Sequence, residues 1–475
     1  MKKFLQNWSL LTVSNFVYQG LLFLSFVRIA RLLKPELYGQ FTIILTATSI
    51  AQVFSSLGLQ KIVIREIARD HSKSLKVAKL SIVPIALATL LSGLFLVFYL
   101  VKIESFSDFS LLLLAAILFV ALTVWNYAEP IAFGKQQMEI SAYLNALSSI
   151  VFTASIFLLP SERYSLPAIL VLYAGVFFLR AVVYLLWEWK NNYFSGADQK
   201  NDPDISTGYL LKRSMAYYGT NLLALPTVQL PVLLLGQFSG EKEVGYYGIS
   251  NKLSMPLTLI ATNLLTALYP ILAKYYVENK DLFIQRTRKV FLFLAISGLV
   301  FTGVLGFFSR ELVSIILGVS YEPAIETFTI QVWVALNLIL HSFIATIFLS
   351  TDKENLMVKL SIFNSIVIGA FCYFGAYYGA IGLSVSSWIG LLIGFSFHWY
   401  FLSKSVGIKL GLYLNNVLFA CFVLLSVLSF ILVEYNIMVR SFAFVASVAF
   451  IWLLLRKNLK GDVIKLIGGV TEYVK

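Results

Sequence analysis

Five residues of the stretch 252–274 are spaced to share one face of a helix. Counting about 100° per residue from Lys252, Pro256 falls at about 40°, Asn263 at about 20°, Pro270 at about 0° and Lys274 at about 40°. The stripe sets a cation near each end and an amide between them. At about 1.5 Å per residue it runs roughly 33 Å, close to the hydrocarbon thickness of a bilayer. Such a face can hold an anion by charge and hydrogen bonding. Two lysines snorkelling to opposite interfaces would give the same spacing. A shorter stripe combines Ser14, Tyr18, Ser25 and Arg28 within about 80° of arc, with Arg31 one turn beyond. A cation at a helix centre costs about 2.5–3.5 kcal/mol on insertion scales, so it is expected to face protein or water. Arg28 and Lys252 are therefore the leading candidates to hold an anionic group, with Arg31, Arg180, Lys274 and Asn263 as secondary ones. Asn337 and His341 share another face, where hydrogen bonds between helices explain such a pair well.

Catalytic chemistry finds little support. The three histidines, His71, His341 and His398, have no metal-ligand spacing to one another or to a carboxylate. No GxSxG, HExxH or glycine-rich phosphate loop occurs. Cys372 and Cys421 form no CxxC motif and read as packing residues. Few carboxylates lie deep in apolar stretches, the nearest being Glu129 and Glu326 close to their ends. The expectation is a protein that is not an enzyme and holds no metal or cofactor.

The elements carrying these residues follow from composition. Of 475 residues, 59% are hydrophobic and 13% charged, whereas a soluble domain carries about a quarter charged. Apolar blocks fall near 8–32, 38–60, 80–101, 109–133, 140–160 and 166–187. They resume near 211–237, 245–273, 289–308, 324–350, 356–378, 380–402, 412–433 and 437–456. Each is long enough to cross a bilayer, which takes about 20 helical residues. The reading is an all-α polytopic membrane protein with about 14 transmembrane helices. Residues 1–188 form one six-helix lobe, 189–210 a solvated linker and 211–402 a second six-helix lobe. Residues 403–475 hold two additional helices and a basic tail.

The net charge of +13 lies in short clusters between apolar blocks, which argues for anionic lipid headgroups and against nucleic acid. With the N-terminus in the cytoplasm, about three quarters of the Lys and Arg residues fall on the inner side, so both termini are expected there. There is also an internal echo. Ser14-Asn15 and Thr220-Asn221 open corresponding helices, and Tyr38-Gly39 and Tyr247-Gly248 lead into the next ones. An even number of helices per half makes the halves parallel repeats, as in transporters that open to each side in turn.

Three pairs of stretches carry a resemblance. They are RIARLLKPELYGQFT (28–42) with LGLQKIVIREIARD (57–70), LGQFSGEKEVGYYGISNKLSMPLT (235–258) with YPILAKYYV (269–277), and NLMVKLSIFNSI (355–366) with YGAIGLSVSSW (378–388). Together they resemble the oligosaccharide-lipid flippases, O-antigen type, of the multidrug and polysaccharide exporter superfamily. Lys34 departs from that pattern, where the family often has Gly before the proline. The resemblance implies two six-helix lobes around a central cavity that opens alternately to each face of a bacterial inner membrane, lined by helices one, two, seven and eight. It implies a substrate in which a short glycan is linked to polyprenyl pyrophosphate, whose anionic headgroup suits a cationic path. A polysaccharide polymerase and chain-length proteins would be further partners, beside membrane lipids. A drug or metabolite exporter of the same fold, and a membrane glycan polymerase or transferase, remain open as alternatives.

Overall fold

The computed structural model describes residues 2–102, 108–190, 205–408 and 412–459, with the side chains of 2–12, 161, 412–416 and 454–459 outside that description. Most of the 189–210 segment and the basic tail beyond 459 therefore lie outside the described residues. Among those described there are helices and turns but no strand. The chain divides into two compact units, 1–245 and 246–475.

The first unit opens with α1 (Lys2–Ser56), which breaks at Lys34 before Pro35 into two helices. The rest are α2 (Leu59–Arg69), α3 (Ser74–Val101), α4 (Phe109–Gly134), α5 (Met138–Leu158), α6 (Leu166–Lys190), α7 (Thr207–Val228), α8 (Leu230–Ser239) and the start of α9 (Glu241–Glu278). Local chemistry sets the ends. The Asp108 carboxylate accepts the Ser110 N–H at 2.9 Å, and Ser206 Oγ accepts the Tyr209 N–H at 3.1 Å. Pro226 and Pro231, which lack the N–H a continuous helix needs, flank the 40° bend between α7 and α8. Segment α2 falls mostly between the apolar blocks 38–60 and 80–101. It is an amphipathic helix that buries Leu59, Ile62, Val63 and Ile67 against α3, α4 and α7, leaving Lys61 and Arg69 outside.

Aromatic side chains knit the unit together, with Tyr173 touching Phe152 at 5.0 Å and Phe177 at 4.5 Å between ring centres. One crossing is closer than any side chain permits. A Cβ built on Gly39 would lie 1.7 Å from the Glu241 carbonyl oxygen, and one on Gly245 would lie 1.9 Å from that of Pro35. The two contacts exchange under a shift of 206 residues. So do the turns just before them, Lys34 (φ 62°, ψ 171°) and Gly240 (φ 87°, ψ 175°). Ser14-Asn15 and Thr220-Asn221 obey the same shift, whereas Tyr38-Gly39 does not map onto Tyr247-Gly248; its glycine maps onto Gly245.

The second unit continues α9 and adds α10 (Lys280–Phe307), α11 (Ser309–Leu317), α12 (Ala324–Ser350), α13 (Glu354–Gly375), α14 (Gly379–Val406), α15 (Leu412–Ile431) and α16 (Ile437–Leu459). Its core centres on α12, where Trp333 is buried and donates from Nε1 to Ser429 Oγ at 2.9 Å. Arg440 ties α16 to the unit. Only 2% exposed, it grips Glu311 with two hydrogen bonds of 2.9 and 2.5 Å and donates to the Phe307 carbonyl at 2.9 Å. Beside it Arg310 pairs with Glu434 at 2.5 Å.

Ten stretches are long and apolar enough to cross a membrane. Two of them hold two helices each, broken at Lys34 and at 376–378. With the bent α7–α8 pair and α16, the described residues carry fourteen spans, in the places the apolar blocks predict.

Candidate substrate-handling residues

On α1 the sequence stripe turns into its own unit. Ser14 Oγ donates to the Ala142 carbonyl at 2.5 Å, and Ser25 Oγ lies 2.9 Å from Thr153 Oγ1, so both serines are buried against α5. Arg28 is half-buried, its guanidinium 5.7 Å from the centre of the Phe157 ring, and its Nε is buried without a partner. Arg31, by contrast, is exposed.

Arg180 is the most enclosed of the expected cations, 6% exposed on α6. Its guanidinium lies 4.0 Å from the centre of Trp125 and 4.6 Å from that of Phe177, and Nη1 donates to Asn145 Oδ1 at 2.8 Å. Tyr18 and Glu129 stand near enough to feel its charge, and Ser141 Oγ donates to Glu129 at 2.6 Å. Two ring faces and an amide substitute for water around the cation. Its Nε stays buried without a partner.

The α9 stripe behaves differently. Lys252 is half-buried, whereas Asn263, Pro270 and Lys274 are exposed. Asn263 Nδ2 donates to the Leu259 carbonyl of its own helix at 2.9 Å, leaving its Oδ1 as the outward acceptor. Lys274 meets Glu278 one turn on, at 3.8 Å. Arg28 and Arg180 thus share the first unit without touching, and Lys252, Asn263 and Lys274 share α9. Asn145, Trp125 and Ser141, the groups that hold Arg180 and Glu129, carry no distinguishing spacing in the sequence. Only a polar or amphipathic residue within an apolar block marks each of them.

Charged groups outside the spans are tuned locally. Burial holds the Lys135 ammonium below its ordinary value, with the Glu188 carboxylate opposing. Burial pushes the Glu311 carboxyl up, but the hydrogen bonds from Arg440 outweigh it and hold the group below the usual range. The hydrogen bond to Glu66 raises Arg65. Among the described residues no three His, Cys, Asp or Glu side chains converge to hold a metal ion. What these residues can do is bind charge and hydrogen-bond it.

The fold is shared with solved structures of a lipid II flippase and of multidrug transporters. The chain aligns with a lipid II flippase, MurJ, in an inward closed conformation at TM-score 0.69 and 13% identity, over 95% of this chain and 99% of that one. An inward-facing multidrug resistance MATE transporter aligns at TM-score 0.64 and 13% identity, over 83% and 96%. The Vibrio cholerae MATE transporter VcmN aligns at TM-score 0.54 and 14% identity, over 86% and 97%. No curated protein matches the chain significantly. Residues 4–276 match the family described as polysaccharide biosynthesis protein, and the chain belongs to that family.

Proposed function

We propose that this protein is a flippase that moves polyprenyl-pyrophosphate-linked oligosaccharide units from the cytoplasmic to the outer leaflet of a bacterial inner membrane, for a surface polysaccharide of the O-antigen type. One observation carries this reading: a chain of the polysaccharide biosynthesis family has a transporter's fold. The working parts are two six-helix lobes, 1–188 and 211–402, joined through the cytoplasmic segment 189–210, with 403–475 adding two helices and a basic cytoplasmic tail. Both termini lie in the cytoplasm. Arg28 and Lys252 take the pyrophosphate, with Arg31, Arg180, Asn263 and Lys274 along its route. A polymerase and chain-length proteins receive the product.

Lys252→Ala tests the route. Loss of one charge-assisted hydrogen bond to a phosphate costs about 1.5–3 kcal/mol, so export falls at least about tenfold at matched protein level. Ile260→Leu, at an exposed apolar position of α9, leaves export unchanged. Normal surface glycan with Lys252→Ala would refute the assignment. The likeness to MATE transporters favours a second reading, a drug or metabolite exporter. A deletion strain that gains drug sensitivity while keeping its surface glycan would decide for it.

A further inference from the structure

The second unit contains a contact between its two histidines. His341 of α12 and His398 of α14 face each other with ring centres 4.9 Å apart and planes inclined by 64°. His341 Nε2 lies 3.0 Å from the Leu391 carbonyl oxygen and His398 Nδ1 lies 2.8 Å from that of Gly394. A carbonyl only accepts, so each of these nitrogens carries a proton. In the neutral pair the lone pairs therefore sit on His341 Nδ1 and His398 Nε2, one per ring.

The surroundings are polar at a few points and uncharged throughout. On α12, one turn before His341, Asn337 is 2% exposed and both of its amide atoms are buried without a partner. Asn337 lines a cavity of about 210 Å³ walled by Phe291, Phe395, Trp399 and Phe422. On α13, the equally unpartnered Asn364 Oδ1 fits against Gly394, where an added Cβ would lie 1.8 Å from it and 3.3 Å from His341 Cε1. No Asp, Glu, Lys or Arg occurs in 290–307 of α10, 327–350 of α12, 360–375 of α13, 379–403 of α14 or 412–431 of α15. The charges that directly flank these stretches are Lys289, Glu326, Lys359 and Lys404. The remaining titratable groups of these stretches are Cys372, which meets Ser387, together with Tyr373, Tyr400, Tyr413 and Cys421.

We propose that His341 and His398 form a proton-binding site in the second unit, taking up one proton per pair and coupling export to a proton gradient. The coupling rests on the flippase reading above; the proton site does not. Protonating one ring creates an imidazolium beside a neutral imidazole, and a second proton is opposed by the first across a poorly screened gap. Asn337 and Asn364 supply the unspent donors and acceptors through which water can carry that proton to the pair. One bond between helices, from His341 to Leu391, and one within α14, from His398 to Gly394, account for one nitrogen of each ring. Neither accounts for the ring-to-ring contact or for the unpartnered amide atoms of Asn337 on α12 and Asn364 on α13.

The chain has three histidines, so the site can be watched directly. Imidazole carbon NMR of the full chain in lipid nanodiscs, with His71→Gln removing the third signal, follows both rings across pH. Coupled titration is expected, with the midpoint of His341 rising by about one pH unit, a tenfold change in proton affinity, when His398→Gln removes the repulsion. Rings that stay neutral throughout, or that titrate independently, would overturn the proton site. Flux of lipid-linked oligosaccharide in proteoliposomes then tests coupling. One pH unit of gradient can shift accumulation by at most about tenfold per proton. The ratio of flux with the gradient to flux without it should fall to about one in His341→Gln/His398→Gln. An unchanged ratio overturns the coupling. Absence of any flux in the unaltered protein, beside a coupled titration, would reject the flippase reading and keep the proton site.

Discussion

Replacing Gly39 by alanine tests the reciprocal helix crossing most severely. An added Cβ would lie 1.7 Å from the Glu241 carbonyl oxygen. Carbon and oxygen in contact sit about 3.3 Å apart, so the two helices would have to separate by roughly 1.6 Å. Overpacking costs about 1–3 kcal/mol when a side chain can turn aside, and a backbone carbonyl cannot, which sets the expected loss near 3 kcal/mol. Gly20 on the same helix has nothing within 4 Å of an added Cβ. There alanine should gain about 0.5–1 kcal/mol through reduced backbone entropy. Thermal unfolding of the purified protein, followed by intrinsic fluorescence, measures both. A double-mutant cycle adds a sharper criterion. Once Gly39→Ala has parted the helices, Gly245→Ala meets less resistance, so the pair should cost about 1–2 kcal/mol less than the sum. Equal stabilities for Gly39→Ala and Gly20→Ala, or strict additivity in the cycle, would refute the reasoning.

Four further outcomes are expected. Lys34 holds φ 62° and ψ 171°, a region almost reserved for glycine that costs about 1–3 kcal/mol; Lys34→Gly should therefore stabilise by about 1 kcal/mol in the same unfolding assay. Because Arg440 holds the Glu311 carboxyl below its unfolded value, the pair contributes stability above about pH 4.3 that is lost as pH falls through the folded value. Unfolding scans from about pH 6 to pH 3 should then show a steeper loss in the unaltered protein than in Glu311→Gln. Arg440→Ala should cost about 3 kcal/mol, the low end for a broken buried pair, since Glu311 keeps 30% exposure. Arg180→Lys keeps the charge but loses the plane that lies against Trp125 and Phe177, so it should cost about 1–2 kcal/mol on unfolding, whereas a freely snorkelling cation would tolerate the change.

The helices were legible because lipid imposes a length: about 20 apolar residues, whatever lies beside them. Even the break at Lys34–Pro35 was foreshadowed by a lysine standing where the family often has glycine, and the structure puts a positive φ there. Segment α2 falls mostly outside the apolar blocks, since its 11 residues are too few to span a bilayer. Its apolar face nevertheless recurs at helical spacing through Leu59, Ile62, Val63 and Ile67. Which face of a spanning helix meets protein was the harder question. Helical spacing groups residues on a face without naming what lies opposite, so Ser14 and Ser25 looked the same as Asn263 and Lys274. The former bury against α5 while the latter remain exposed.

The same physics decides where a polar side chain in a span can do work. Ser14 and Ser25 satisfy their hydroxyls on a neighbouring helix, so nothing is left over for a substrate. Arg180 has ring faces and an amide around it yet keeps one donor, Nε, unspent. Arg28 is left in the same condition beside Phe157. An unspent buried donor is costly in a bilayer, and a cation's is costlier than an amide's. Residues retained at that cost are the ones from which function is to be expected. By that criterion Arg28 and Arg180 stand ahead of Arg31 and Lys274, whose charges lie exposed. Asn337 and Asn364 stand beside the arginines. The two amides flank the only histidines of the second unit, so the criterion that selects cations for an anionic headgroup also selects the histidine pair.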